Sequence, residues 1–203
     1  MGAVVPTLQD RPPTALHARA AESLLFIRAT MEQAAGFSAV PGWGGVLMGV
    51  TALGAAALAH PRRLTQRWLT IWLAEAAFAA AIGLAAIVRK ARRSGVPLAG
   101  PASRKFALAF IPALASGAVL TLVLYRNGSI ADLPGCWLLL YGTAVTSGGA
   151  LSVRIVPLLG VCLMALGAAA LAAPASWGDA FMAGGFGALH IACGFVIARR
   201  HGG

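Results

Sequence analysis

Acid is what this sequence has least of. Asp and Glu together number 6 among 203 residues, and charged residues of both signs make up 11%. A soluble domain carries about 25% charged residues, so a water-facing globule is excluded and a bilayer is the expected solvent. The scarcity removes chemistry as well. No paired carboxylates, Ser/His/Asp set, phosphate-cradling glycine loop or zinc-ligand spacing occurs, and the chain is expected not to be an enzyme. Cys136, Cys162 and Cys193 lie in or at the rim of apolar runs, and their number is odd. That argues against a disulfide framework and against a bound metal. The start, MGAVVPTLQDRPP, lacks a basic segment running straight into an apolar core, so a cleavable secretory signal is not expected.

What the sequence has in abundance is apolar length: 59% of it is hydrophobic. Crossing the hydrocarbon takes about 20 apolar residues per helix, with ~17 to 25 tolerated. Six stretches qualify: Val40 to Ala59, Trp68 to Val88, Phe106 to Tyr125, Leu133 to about Gly148, Val153 to Ala173, and Ala180 to Ala198. No gap between them exceeds 17 residues, which leaves no room for a separate catalytic domain. The expected fold is all-α: a polytopic membrane helix bundle of about six spans over residues 40–203, preceded by a cytoplasmic segment, 1–39. The weakest boundary is TSGGALSVRIVP, where Gly148 and Gly149 must let the chain reverse. If they lie mid-helix, the count falls to five.

The chain carries 16 Lys and Arg, for a net charge of +10. They sit in the gaps, with no basic stripe interleaved with aromatics, so anionic lipid rather than nucleic acid is the expected partner. Putting the N-terminus inside places Arg11, Arg19, Arg28, Arg89, Lys90, Arg92, Arg93, Arg104, Lys105, Arg154, Arg199 and Arg200 on the inner side. Only Arg62, Arg63, Arg67 and Arg126 fall outside, and this bias predicts both termini in the cytoplasm. Trp43 at the inner rim and Trp68, Tyr125, Trp137 and Trp177 at the outer rim read as aromatic belts. Asp132 and Asp179 precede helices and read as caps.

Residues Arg19 to Ala35 contain neither Pro nor Gly before the last turn's end, and Ala20, Leu24, Ile27 and Met31 fall on one face. This amphipathic helix is expected to lie on the inner membrane surface, to dock a cytoplasmic partner, or to pack on the protein's own loops. ALGAAALAHP (52–61) recurs as ALGAAALAAP (165–174), and Gly83, Gly148 and Gly194 each precede an Arg by six residues. Three related hairpins or chance matches in Ala- and Leu-rich spans both account for that.

Glu75 is the only acid inside a span, about 10 Å from the outer helix end. A buried acid is costly and is aimed at a partner, a cavity or a pathway. It shares a face with Trp68 and Trp72, whose indole N–H is a candidate donor to it. His190 lies within ~6 Å of the same depth, so Glu75 and His190 could relay protons or hold a cation, or could each fix helix packing. Haem needs a second histidine at matching depth on a facing helix, and His17, His60 and His201 do not provide one. No cofactor is expected, and a haem-binding subunit ranks third. Gly42, Gly45 and Gly49, with Ala52 and Ala56, make a small-residue stripe for close helix packing, within the bundle or between copies. Tyr141, with Thr143, Thr146 and Ser147, gives the fourth span polar character, and Pro112 is placed to bend the third.

The segments LLFIRATMEQAAGFSAVPGWGGVLMG (24–49), LPGCWLLLYGTAV (133–145) and GALHIACGFVIARRHGG (187–203) resemble an uncharacterised family of small bacterial multi-pass inner-membrane proteins. The resemblance implies that location and no activity, and it carries over no functional residues. The expected function is a non-enzymatic accessory, scaffold or signalling subunit with a membrane or cytoplasmic protein partner or a second copy. The alternative is a small-solute or ion transporter using Glu75 and His190.

Overall fold

A computed structural model of the chain describes residues 20, 22–26, 40–62, 65–95, 100–150 and 152–201. The chain divides into two units, Met1–Ala35 and Gly36–Gly203. In the first, residues 22–26 are helical and exposed; Ile27 and Met31, the rest of the expected apolar face, lie outside the described residues.

The second unit is an antiparallel succession of six helices, and no strand occurs among the described residues. They are α1 Gly42–Ala59, α2 Gln66–Ser94, α3 Pro101–Arg126, α4 Leu133–Gly149, α5 Ile155–Ala172, and α6, which runs without a break through Gly178–Met182, Ala183–Leu189 and His190–His201. All but α4 are apolar enough over at least 18 residues to cross a membrane. Helix α4 has 17 residues, about 25 Å at 1.5 Å per residue, against a hydrocarbon core of about 30 Å. The chain is a multi-pass integral membrane protein.

The helix ends follow local chemistry. Thr65 caps α2, its hydroxyl accepting from the Trp68 N–H at 3.2 Å, and Gly95 closes the helix in the left-handed conformation (φ 66°). Helix α3 opens on Pro101 and runs through Pro112 without ending. Asp132 makes no capping bond to α4. The chain reverses between α4, which ends at Gly149, and α5, which starts at Ile155, so the two are separate helices.

Glycine decides which helices touch. On α1, a Cβ added to Gly49 would lie 2.6 Å from the Gly187 carbonyl oxygen, Gly42 abuts Ala198, and Gly45 faces Gly194, all on α6. The stripe on α1 is therefore taken up inside the chain. Helices α4 and α5 meet in the same manner, Gly142 against the Gly160 carbonyl and Gly135 against Gly167. Bilayer helices gain little from hydrophobicity in choosing neighbours, so close backbone approach is a main source of contact energy. Helix α2 packs on α1 and α3 on α4; no residue of α3 is fully buried. The two copies of ALGAAALA are used differently: Gly167 is pressed against α4, while the matching Gly54 faces open space.

Candidate functional site

The core polar groups cluster along one aromatic column. At the end of the bundle nearest His60, Trp68 is 1% exposed and stacks on Trp137 with ring centroids 5.7 Å apart and planes 7° from parallel. Its Nε1–H donates to Oδ1 of the buried Asp179 at 2.7 Å. The His60 ring lies 3.9 Å from the other oxygen of that carboxylate. Trp137 donates to the Thr121 hydroxyl at 2.8 Å, which donates on to the Gly117 carbonyl. Trp72, Phe186, Tyr141 and Phe110 continue the column, each ring 5.2–6.5 Å from the next. Aromatic contacts of this kind add about 0.5–1.5 kcal/mol each beyond area burial.

Two sequence expectations are corrected here. Asp179 is not only a carboxylate in the first turn of α6 but the buried acceptor of an interhelical bond. Trp68 does not belong to an aromatic belt, because it is sealed in the core and Trp137 stacks on it; Trp43, Trp177 and Tyr125 are the exposed aromatics near helix ends.

His190 closes the column in the bundle's middle. Its Nδ1 lies 3.0 Å from the Gly185 carbonyl and its Nε2 lies 3.1 Å from the Tyr141 hydroxyl. A carbonyl can only accept, so Nδ1 carries the hydrogen, and a neutral ring then accepts from Tyr141 at Nε2. Gly185 belongs to Ala183–Leu189, a π-helical stretch within α6. Such wide turns are rare; Gly185 and Gly187 leave room here for Leu138 and Leu53, which a Cβ would strike. Both imidazole nitrogens are engaged, so an iron could be ligated only by displacing one of these bonds.

Glu75 turns the other way. Its Oε1 accepts from the Thr51 hydroxyl of α1 at 2.7 Å, and the same hydroxyl stands 2.9 Å from the Met48 carbonyl. One hydroxyl hydrogen cannot serve both oxygens at once. Glu75 and His190 do not bond each other, and Trp72 does not donate to Glu75: its buried Nε1 has no partner among the described residues. Thr143 and Thr146 donate to the carbonyls of Leu139 and Gly142 in their own helix. No cluster of three or more His, Cys, Asp or Glu occurs among the described residues.

Sequence reasoning missed Thr51, Asp179 and the π turn. Thr51 had a signal, being the only hydroxyl of the first span and at about the depth of Glu75. The adjacent glycines of AGGFGAL gave none, since every span contains glycine.

No family model, curated protein or solved structure matches this chain.

The Tyr141–His190 bond has a measurable worth. Tyr141→Phe leaves Nε2 buried without a donor, and stability in a detergent unfolding titration is expected to fall by about 1–3 kcal/mol. An unchanged midpoint would mean that the ring re-satisfies itself by moving.

Proposed function

We propose that this protein is a non-enzymatic accessory or scaffold subunit of the bacterial inner membrane, with both termini cytoplasmic. The observation carrying this reading is that intramembrane polar groups are spent on holding helices together. Asp179 joins α6 to α2, His190 joins α6 to α4, and Glu75 joins α2 to α1. Polar side chains that bond across helices in this way fix a shape. A fixed shape suits a partner-binding role. Purification in mild detergent should recover a stable complex, with another membrane protein or with a second copy. A lone monomer under several mild detergents would overturn the reading, and a reporter fused after Gly203 should respond to the cytoplasm.

One observation favours transport. Glu75 is only partly buried, and among the described residues its Oε1 alone is hydrogen-bonded. The free oxygen is available to a proton or a small cation. On this reading Glu75→Gln abolishes a pH-dependent flux in liposomes, and identical behaviour of wild type and variant removes it.

A further inference from the structure

The basic end of α2 carries a stripe that the bundle leaves uncovered. Ala81, Leu84, Ala85, Val88, Arg89, Arg92 and Arg93 follow one another at helical spacings of three, one, three, one, three and one, so they lie on a single face. They line an open groove of about 600 Å³. Leu84 is 65% exposed, and Arg89, Arg92 and Arg93 are exposed as well. The four apolar residues extend about 10 Å along the helix at 1.5 Å per residue, from the arginines toward the bilayer centre.

Among the described residues no acid answers these arginines. Neither Asp nor Glu occurs between Glu75 and Asp132, and among the described residues none of the three arginines makes an ion pair. Three guanidinium groups on adjacent turns present planar donor forks matched to phosphate oxygens. An apolar strip leading from them into the hydrocarbon matches the acyl chain below a phosphate. A soluble anion would leave that strip unused, and an acidic protein segment would have to enter the acyl region to use it.

We propose that this groove binds an anionic phospholipid, its phosphate held by Arg89, Arg92 and Arg93 and one acyl chain laid along Ala81, Leu84, Ala85 and Val88. The neighbouring Lys90 points elsewhere, donating to the Val40 carbonyl at 2.9 Å, so the phosphate site is made by arginines alone.

The test is native mass spectrometry of the full chain released from detergent in the presence of phosphatidylglycerol or phosphatidylcholine. Wild type should retain phosphatidylglycerol at least tenfold better. The combined Arg89→Gln, Arg92→Gln and Arg93→Gln variant should lose that preference, while a variant with Arg199→Gln and Arg200→Gln keeps it. Should the triple variant fail to fold, Arg92→Gln alone should reduce retention several-fold. The proposal is overturned if wild type retains both lipids equally, if the arginine variants keep the preference, or if the Arg199 and Arg200 variant loses it equally. Competition by inorganic phosphate as effective as by the lipid would also overturn it, because the apolar strip would then contribute nothing.

Discussion

Replacing Trp68 with Ala should cost about 3 kcal/mol, the lower end of the 3–5 kcal/mol found for large aromatic truncations in soluble cores. The lower end applies because side chains released in a bilayer meet lipid rather than water, leaving mainly the loss of packing. Trp68 is 1% exposed, stacks on Trp137 and bonds Asp179, so truncation removes three supports together. Trp68→Phe separates them. It preserves much of the stacking but removes this one donor from Asp179, and about 1–3 kcal/mol should be lost, as for a buried hydrogen bond broken from one side. Trp72→Phe supplies the control. The Trp72 indole N–H is buried without a partner among the described residues, so removing it should cost under about 1 kcal/mol or even stabilise. Unfolding titrations in mixed detergent micelles would rank the three variants. Equal midpoints for Trp68→Phe and Trp72→Phe would show that the bond to Asp179 contributes nothing.

A second pair of substitutions exploits the repeated octapeptide. Gly167→Leu should separate α4 from α5, because a Cβ there falls 2.7 Å from the Leu139 backbone nitrogen and 2.8 Å from the Gly135 carbonyl oxygen. The α4 backbone cannot yield as a side chain could. Overpacking costs about 1–3 kcal/mol even where side chains can adjust, so a loss of more than about 3 kcal/mol, or failure to fold, is expected at this contact. Gly54→Leu, within the identical ALGAAALA, should be tolerated because a Cβ there meets nothing within 4 Å. Expression, monodispersity and the unfolding midpoint of the two variants provide the comparison. Equal damage at both positions would refute the assigned helix contacts.

That pair also explains what the sequence could reveal. Apolar length and helix-breaking residues mark the spans, and these are local: Gly95, Pro101, Asn127 and Pro174 stand at or beside helix ends. Neighbour choice is not local. Gly54 and Gly167 have the same surroundings in sequence and opposite surroundings in space, because contact depends on which face another helix approaches. The same limit applied to Glu75. Its depth is countable, but depth alone does not tell whether α1 or α6 stands beside it, and the hydrogen bond goes to Thr51 of α1. Trp68 and Asp179 were both placed at the outer end by counting, and only the packing of α6 beside α2 turns them into a pair.

Helix α3 packs mainly on α4. Phe106 packs beside Ala91 of α2 and Phe110 meets the Tyr141 ring edge-on near one end, and Thr121 receives the Trp137 bond near the other, yet none of its residues is fully enclosed. Segments with few enclosed contacts open at the lowest free energy. Lateral departure of α3 would uncover Tyr141 and Trp137 to the acyl chains while leaving the glycine-paired helices clasped. The face that α3 covers is therefore the aromatic one.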